Sequence, residues 1–136
     1  ACVVLKWQLV DEEDRGSALV LRDDYLVEET VDLNAPTLLE YELANGVHSA
    51  ARRARLSPDI AREALRNLLD CEIQLHAPDP GRVLSLAQEH AITPYDAAYV
   101  DLAERLGIEL WTADRPLYAA VAGRCPWVRW ITDYTT

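Results

Sequence analysis

Between Thr37 and Ala54 the apolar residues Leu39, Leu43, Val47, Ala50 and Ala54 recur at spacings of four, four, three and four. That period places them on one face of an α-helix packed against a core. Similar patterns predict helices near 12–28, 58–69, 80–90, 95–106 and 116–122. Three helix starts carry a capping side chain followed by proline: Ser57-Pro58, Asp79-Pro80 and Thr93-Pro94. The side-chain oxygen takes an orphan N–H there, and proline's fixed φ suits the first turn. Short β-prone runs alternate with these helices at Val31 to Asn34, Glu72 to His76, Ile108 to Thr112 and Trp127 to Ile131, and Cys2 to Leu5 also reads as a strand. This βαβ-like order predicts an α/β fold with a mostly parallel central sheet. Such sheets gather ligand sites at the carboxyl ends of their strands, where loops and helix N-termini converge.

Composition narrows the class. The chain has 136 residues and is 50% hydrophobic, enough for one core and one domain over 1–136. Its apolar runs are too short to cross a membrane and no signal-peptide pattern precedes them, so the expected setting is cytoplasmic. An apolar run begins at the first residue and the chain has no methionine, so further residues are expected upstream of Ala1. Cys2, Cys71 and Cys125 are odd in number and widely spaced, which predicts free thiols rather than a disulfide framework. His48, His76 and His90 lack metal-ligand spacing, so any chemistry rests on carboxylates. The net charge of −10 counts against nucleic-acid binding driven by a basic surface.

Each candidate acid has a structural alternative. Asp96 is the third residue of a helix capped by Thr93, where an acid completes a capping-box-like pair and faces the positive end of the helix dipole. Asp114 stands two residues past a strand ending at Thr112, placed either to cap the next helix or to bind a hard metal ion. Glu42 shares a polar stripe with Asn45, Ser49 and Arg53, which usually marks a solvated face. Glu40 lies about 200° away around the same helix, so the two glutamates do not share a site, and periodicity does not choose between them. Asp11, Glu12, Glu13 and Asp14 read as an exposed helix start. Asp101 and Glu104 read as solvated residues on the outer side of a helix that buries Ala97, Ala98 and Leu102.

Four stretches, taken in order, carry a resemblance: Ala1-Cys2-Val3-Val4-Leu5-Lys6-Trp7; Ala35-Pro36-Thr37-Leu38-Leu39 with Glu42-Leu43-Ala44-Asn45; Thr93-Pro94-Tyr95-Asp96-Ala97-Ala98-Tyr99; and Thr112-Ala113-Asp114-Arg115. Together they resemble the PIN-domain family, and within it the VapC toxins of toxin–antitoxin pairs, nearly end to end. The resemblance implies a three-layer α/β/α sandwich. It selects Glu42 over Glu40 and marks Glu42, Asp96 and Asp114 as active-site acids and metal ligands. The family carries an aspartate immediately before the segment matching Ala1-Cys2, and commonly a serine or threonine where Cys2 stands.

The implied activity is hydrolysis of RNA phosphodiester bonds with Mg²⁺ or Mn²⁺. Gathered carboxylates repel unless a cation neutralises them, and a hard divalent ion is typically held by one or two carboxylates plus substrate phosphate. Such an ion would also reverse the local potential and lift the charge objection. Asn45 and Thr112 are then expected to orient the acids by hydrogen bonds. Lys6, Arg52, Arg53, Arg55 and Arg115 are candidate phosphate contacts, each equally plausible as a solvated residue. The expected partners are RNA, a basic antitoxin that places an arginine among the carboxylates, and a second copy of the chain through apolar surface around Leu38 to Leu43. An alternative is an inactive PIN fold that binds protein or RNA, favoured by Cys2 and the absent first aspartate. A phosphoacceptor domain would need a lysine after a later strand, and Lys6 is the only lysine in the chain.

Overall fold

The computed structural model describes residues 1–136. Helices and short strands alternate along it: α1 (Cys2–Leu5), α2 (Arg15–Leu26), β1 (Asn34–Pro36), α3 (Leu39–Arg52), α4 (Pro58–Leu69), β2 (Gln74–His76), α5 (Pro80–His90), α6 (Pro94–Leu106), β3 (Leu110–Thr112), α7 (Arg115–Val121) and β4 (Val128–Trp130), closed by a 3₁₀ turn at Ile131–Asp133.

The three capping signals act as their chemistry requires. Ser57 Oγ accepts from the Ile60 N–H at 3.2 Å, Asp79 Oδ1 from those of Gly81 and Arg82 at 2.9 and 3.3 Å, and Thr93 Oγ1 from that of Asp96 at 3.1 Å. Helices α4, α5 and α6 accordingly begin at the three prolines. In α3, Leu39, Leu43, Val47 and Ala50 are buried along one face. Ala54 leaves that stripe, because the helix stops at Arg52 and Ala54 turns the chain with a left-handed φ of 56°.

Residues 2–5 are helical, not a strand. The Leu5 N–H donates to Ala1 O at 2.9 Å and the Lys6 N–H to Val3 O at 3.2 Å. The β preference of Val3 and Val4 expresses itself through packing beside a partner strand. Here Val3 and Trp7, four residues apart, are both buried in one cluster with Leu21, Leu39 and Leu43, an arrangement a helical turn provides. The acidic run at residues 11–14 lies ahead of α2 rather than in its first turn. Asp11 and Glu12 both pair with Arg55, at 2.6 Å each.

All strand pairing is parallel, as the βαβ order requires. β1 pairs with β2, Asn34 opposite Gln74, and β3 with β4, Leu110 opposite Val128. Residues 31–33 precede β1 instead of belonging to it. The strands form two separate two-stranded ribbons. A largely apolar cleft of about 910 Å³ is lined from one ribbon by Asn34 and Ala35 and from the other by Leu110 and Trp111.

Helix α6 is the most enclosed element, with Ala97, Ala98, Val100, Asp101, Leu102 and Ala103 all buried. Its alanines pack with Val83 and Ala87 of α5, while Val100 packs with Leu117, Val121 and Val128. Asp101, expected in solvent, is 0% exposed. It accepts from Arg82 Nε at 2.6 Å and from Arg105 Nε at 2.8 Å. A helix enclosed on this many sides has no solvated face left for Asp101, so two guanidinium groups supply the counter-charge that water would otherwise provide. Glu104 does remain exposed.

Removing both arginines strands that carboxylate. The Arg82→Ala/Arg105→Ala protein is expected to lose about 3–5 kcal/mol of unfolding free energy at neutral pH, read from urea denaturation. A loss below about 1 kcal/mol would mean that Asp101 is not relying on them.

Candidate active site

Six acids line the cleft, Asp32, Glu42, Asp96, Glu104, Glu109 and Asp114, and the three expected at the site all stand at helix starts: Glu42 in the first turn of α3, Asp96 in the first turn of α6, and Asp114 at the start of α7. Each is located by bonds to something other than another acid. Asp114 follows β3, and its N–H donates to Thr112 Oγ1 at 3.1 Å while its Oδ1 accepts from the Leu117 N–H at 2.9 Å. The second oxygen, Oδ2, has no protein partner. Glu42 Oε1 accepts from the hydroxyl of Tyr99 at 2.6 Å. The Asp96 backbone is tied to Thr93, as described above.

The electrostatics of the cleft are dominated by its acids. Burial pushes the Asp96 carboxyl above its ordinary value of 3.8, and the charge of Asp114 pushes it the same way, against a hydrogen bond from Thr93 and the positive charge of the Ala1 ammonium. Tyr99 is also raised, by burial first and then by its bond to Glu42, so its phenol keeps its proton and acts as donor. No group of three or more His, Cys, Asp or Glu side chains closes tightly enough to hold an ion by itself. The three acids are anchored separately around the cleft. The donor set is nonetheless all oxygen, and it fits a hard ion held by one or two carboxylates and completed by water or phosphate.

The other sequence candidates divide. Thr112 is buried and holds the loop leading to Asp114, with Cys2 Sγ 3.7 Å from its hydroxyl. Cys2 itself accepts from the Ala113 N–H at 3.4 Å, a role its thiol shares with the serine or threonine expected there. Asn45 is exposed and makes no hydrogen bond to Glu42. Glu40 is exposed and does not line the cleft, whereas Glu104 lines it eight residues along α6 from Asp96, about 12 Å away at a helical rise of 1.5 Å. Lys6 is 6% exposed and committed to Glu13 O at 2.7 Å and Glu12 at 3.5 Å, which removes it as a phosphate contact. Arg55 is likewise taken by Asp11 and Glu12. Arg52 and Arg53 sit at the far end of α3, about 15 Å along the axis from Glu42. Arg115 is exposed beside Asp114, stacked 5.3 Å from the centre of the Trp130 ring, and has no carboxylate partner. Tyr99 was not singled out from the sequence. The available signal is its spacing, three residues past Asp96 on the same helical face.

No family model matches the chain. It is 39% identical over 131 residues to Ribonuclease VapC1 of Mycobacterium tuberculosis, covering 91% of this chain and 93% of that protein. It is also 39% identical over 95 residues to Ribonuclease VapC3 of Pyrobaculum aerophilum, covering 67% of this chain and 72% of the relative. The crystal structure of PAE2754 from Pyrobaculum aerophilum matches the fold with a TM-score of 0.64 at 29% identity, over 84% of this chain and 83% of that one.

Asp96→Asn separates an acid held for its charge from an acid held as a cap. With the folded-state value raised, ionised Asp96 destabilises the fold at pH 7, and the penalty fades as pH falls from that raised value to the ordinary value of 3.8. Relieving it offsets the helix-dipole contribution of about 0.3–1 kcal/mol. The metal-free variant is therefore expected to melt at or above the wild-type temperature at pH 7, with any advantage lost in acid. A lower melting temperature at pH 7 would identify Asp96 as a helix cap only.

Proposed function

The chain belongs to the VapC family of PIN-domain ribonucleases, and from that premise we propose that it hydrolyses RNA phosphodiester bonds with the help of Mg²⁺ or Mn²⁺. The observation that carries the reading is the convergence of Glu42, Asp96 and Asp114, from three separate helices, on one cleft. Asp96 and Asp114 would hold the ion, with Glu42 as a third ligand or as the base that orients water. When bound, a divalent ion lowers the pKa of a coordinated water and stabilises charge on the scissile phosphate.

The chain's own residues do the rest. Glu42 accepts the proton from the attacking water through the oxygen that Tyr99 leaves free. The water oxygen bonds to phosphorus and the bond from phosphorus to the 3′-oxygen breaks; the 3′-oxyanion takes a proton from solvent, giving 5′-phosphate and 3′-hydroxyl ends. Thr112 and Cys2 hold the loop that sets the position of Asp114. Arg115 follows Asp114 in sequence, has no ion-pair partner and faces the neighbouring pocket lined by Asp11 to Asp14; from there it would contact a substrate phosphate that runs past Asp114, a role suited to its planar fork of donors.

The same reading makes the chain the toxin of a pair. A chain with net charge −10 and an apolar cleft edged by acids suits a basic antitoxin segment that covers the cleft and sets an arginine among the carboxylates. A second copy would dock through the α3 surface, where Tyr41 is 80% exposed. No helix is long and apolar enough to cross a membrane.

The test is cleavage of a single-stranded RNA by the purified protein with Mn²⁺, Mg²⁺ or chelator. Asp114→Asn keeps a good N-cap residue, so its fold should survive. Asp96→Asn and Asp114→Asn are each expected to lower the metal-dependent rate by at least the 10–100-fold typical of disturbing even an outer partner of a metal site, order of magnitude. Unchanged rates in both would overturn the enzymatic reading, and tight RNA binding without cleavage by the wild type would favour an inactive binding module.

A further inference from the structure

Glu42 and Asp96 reach the cleft from helices joined by a single side-chain hydrogen bond, the one from Tyr99 of α6 to Glu42 of α3. Tyr99 stands one turn beyond Asp96 on the same face of α6, and both line the cleft. One helix therefore presents an acid and a phenol side by side, and the phenol reaches across to the acid of the other helix. The bond is short, 2.6 Å, as expected for a hydroxyl donating to a carboxylate. It occupies Oε1 and leaves Oε2 of Glu42 without a protein partner.

The geometry points to Tyr99 as the positioning residue of the acid site: its hydroxyl holds one oxygen of Glu42 and so directs the other toward the ion or water that Glu42 shares with Asp96. This inference rests on the reading of the cleft as a metal-dependent site. The hydroxyl matters here more than the ring, because phenylalanine would fill the same volume and keep the packing against the main core. A long acidic side chain in the first turn of a helix has several rotamers, and without the phenol nothing in the protein selects one. Groups that orient a metal ligand through a hydrogen bond typically change affinity or activity about 10–100-fold when removed.

Calorimetric titration with Mn²⁺ of the wild type, Tyr99→Phe, Glu42→Gln and the double variant tests this. Tyr99→Phe is expected to weaken Mn²⁺ binding about 10-fold with little change in melting temperature. In the Glu42→Gln background the same substitution should cost nothing further, because the positioned group has already been neutralised. Wild-type Mn²⁺ affinity in Tyr99→Phe, or losses that add in the double variant, would overturn the proposal. A measurement on the unmutated protein stands apart from folding of the variants: with ¹³Cζ-labelled tyrosine, saturating Mg²⁺ should shift the Tyr99 resonance, and an unmoved resonance also rejects the proposal. RNA cleavage distinguishes the two levels. Tyr99-dependent Mn²⁺ binding by a protein that cuts no RNA would sink the ribonuclease reading and leave the positioning role standing.

Discussion

Helix α6 is buried from Ala97 to Ala103 apart from one side of Tyr99, and that enclosure organises much of the molecule. Small side chains let α5 lie close on one flank, while Val100 anchors the unit made by α7 and β4 on another. An acid in such a helix has to be met inside the protein, which is why Arg82 and Arg105 converge on Asp101. The first turn differs. Thr93 satisfies its backbone, and its outward face opens into the cleft with Asp96 and Tyr99.

The acids at that cleft are held in place without help from one another. Asp114 is fixed through Thr112 and Leu117, Glu42 through Tyr99, and Asp96 by its place in the capped turn. Anchoring of this kind lets like charges stand near each other, and the Asp96 carboxyl is raised first by its burial and then by the charge of Asp114. Under the proposed function, a cation would relieve that repulsion without asking the protein to rearrange, because the anchors do not involve the oxygens left over on Glu42 and Asp114.

The proposed function also requires so acidic a chain to meet RNA, and its cations are committed unevenly. Lys6, Arg55, Arg82 and Arg105 are spent on the protein's own carboxylates. Arg115, propped on Trp130, stands outside those pairs and next to Asp114. Local arrangement of one cation and three acids, rather than net charge, is what the proposed chemistry uses.

Local chemistry was legible in the sequence. The starts of α4, α5 and α6 follow from a capping oxygen and a proline, interactions that close within three or four residues and need no tertiary partner. The buried stripe of α3 and the parallel α/β order follow from periodicity, and the choice of Glu42 over Glu40 came with the family resemblance. What packing decided could not be read this way. Residues 2–5 fold as a helix because Val3 and Trp7 meet a core assembled from distant segments. Asp101 is buried because two other layers close over α6, although its local pattern resembles a solvated face. Lys6 is consumed by Glu12 and Glu13 through the turn that brings them back. Tyr99 reaches Glu42 across 57 positions of sequence, and no periodicity along one helix specifies which side chain of another it will touch.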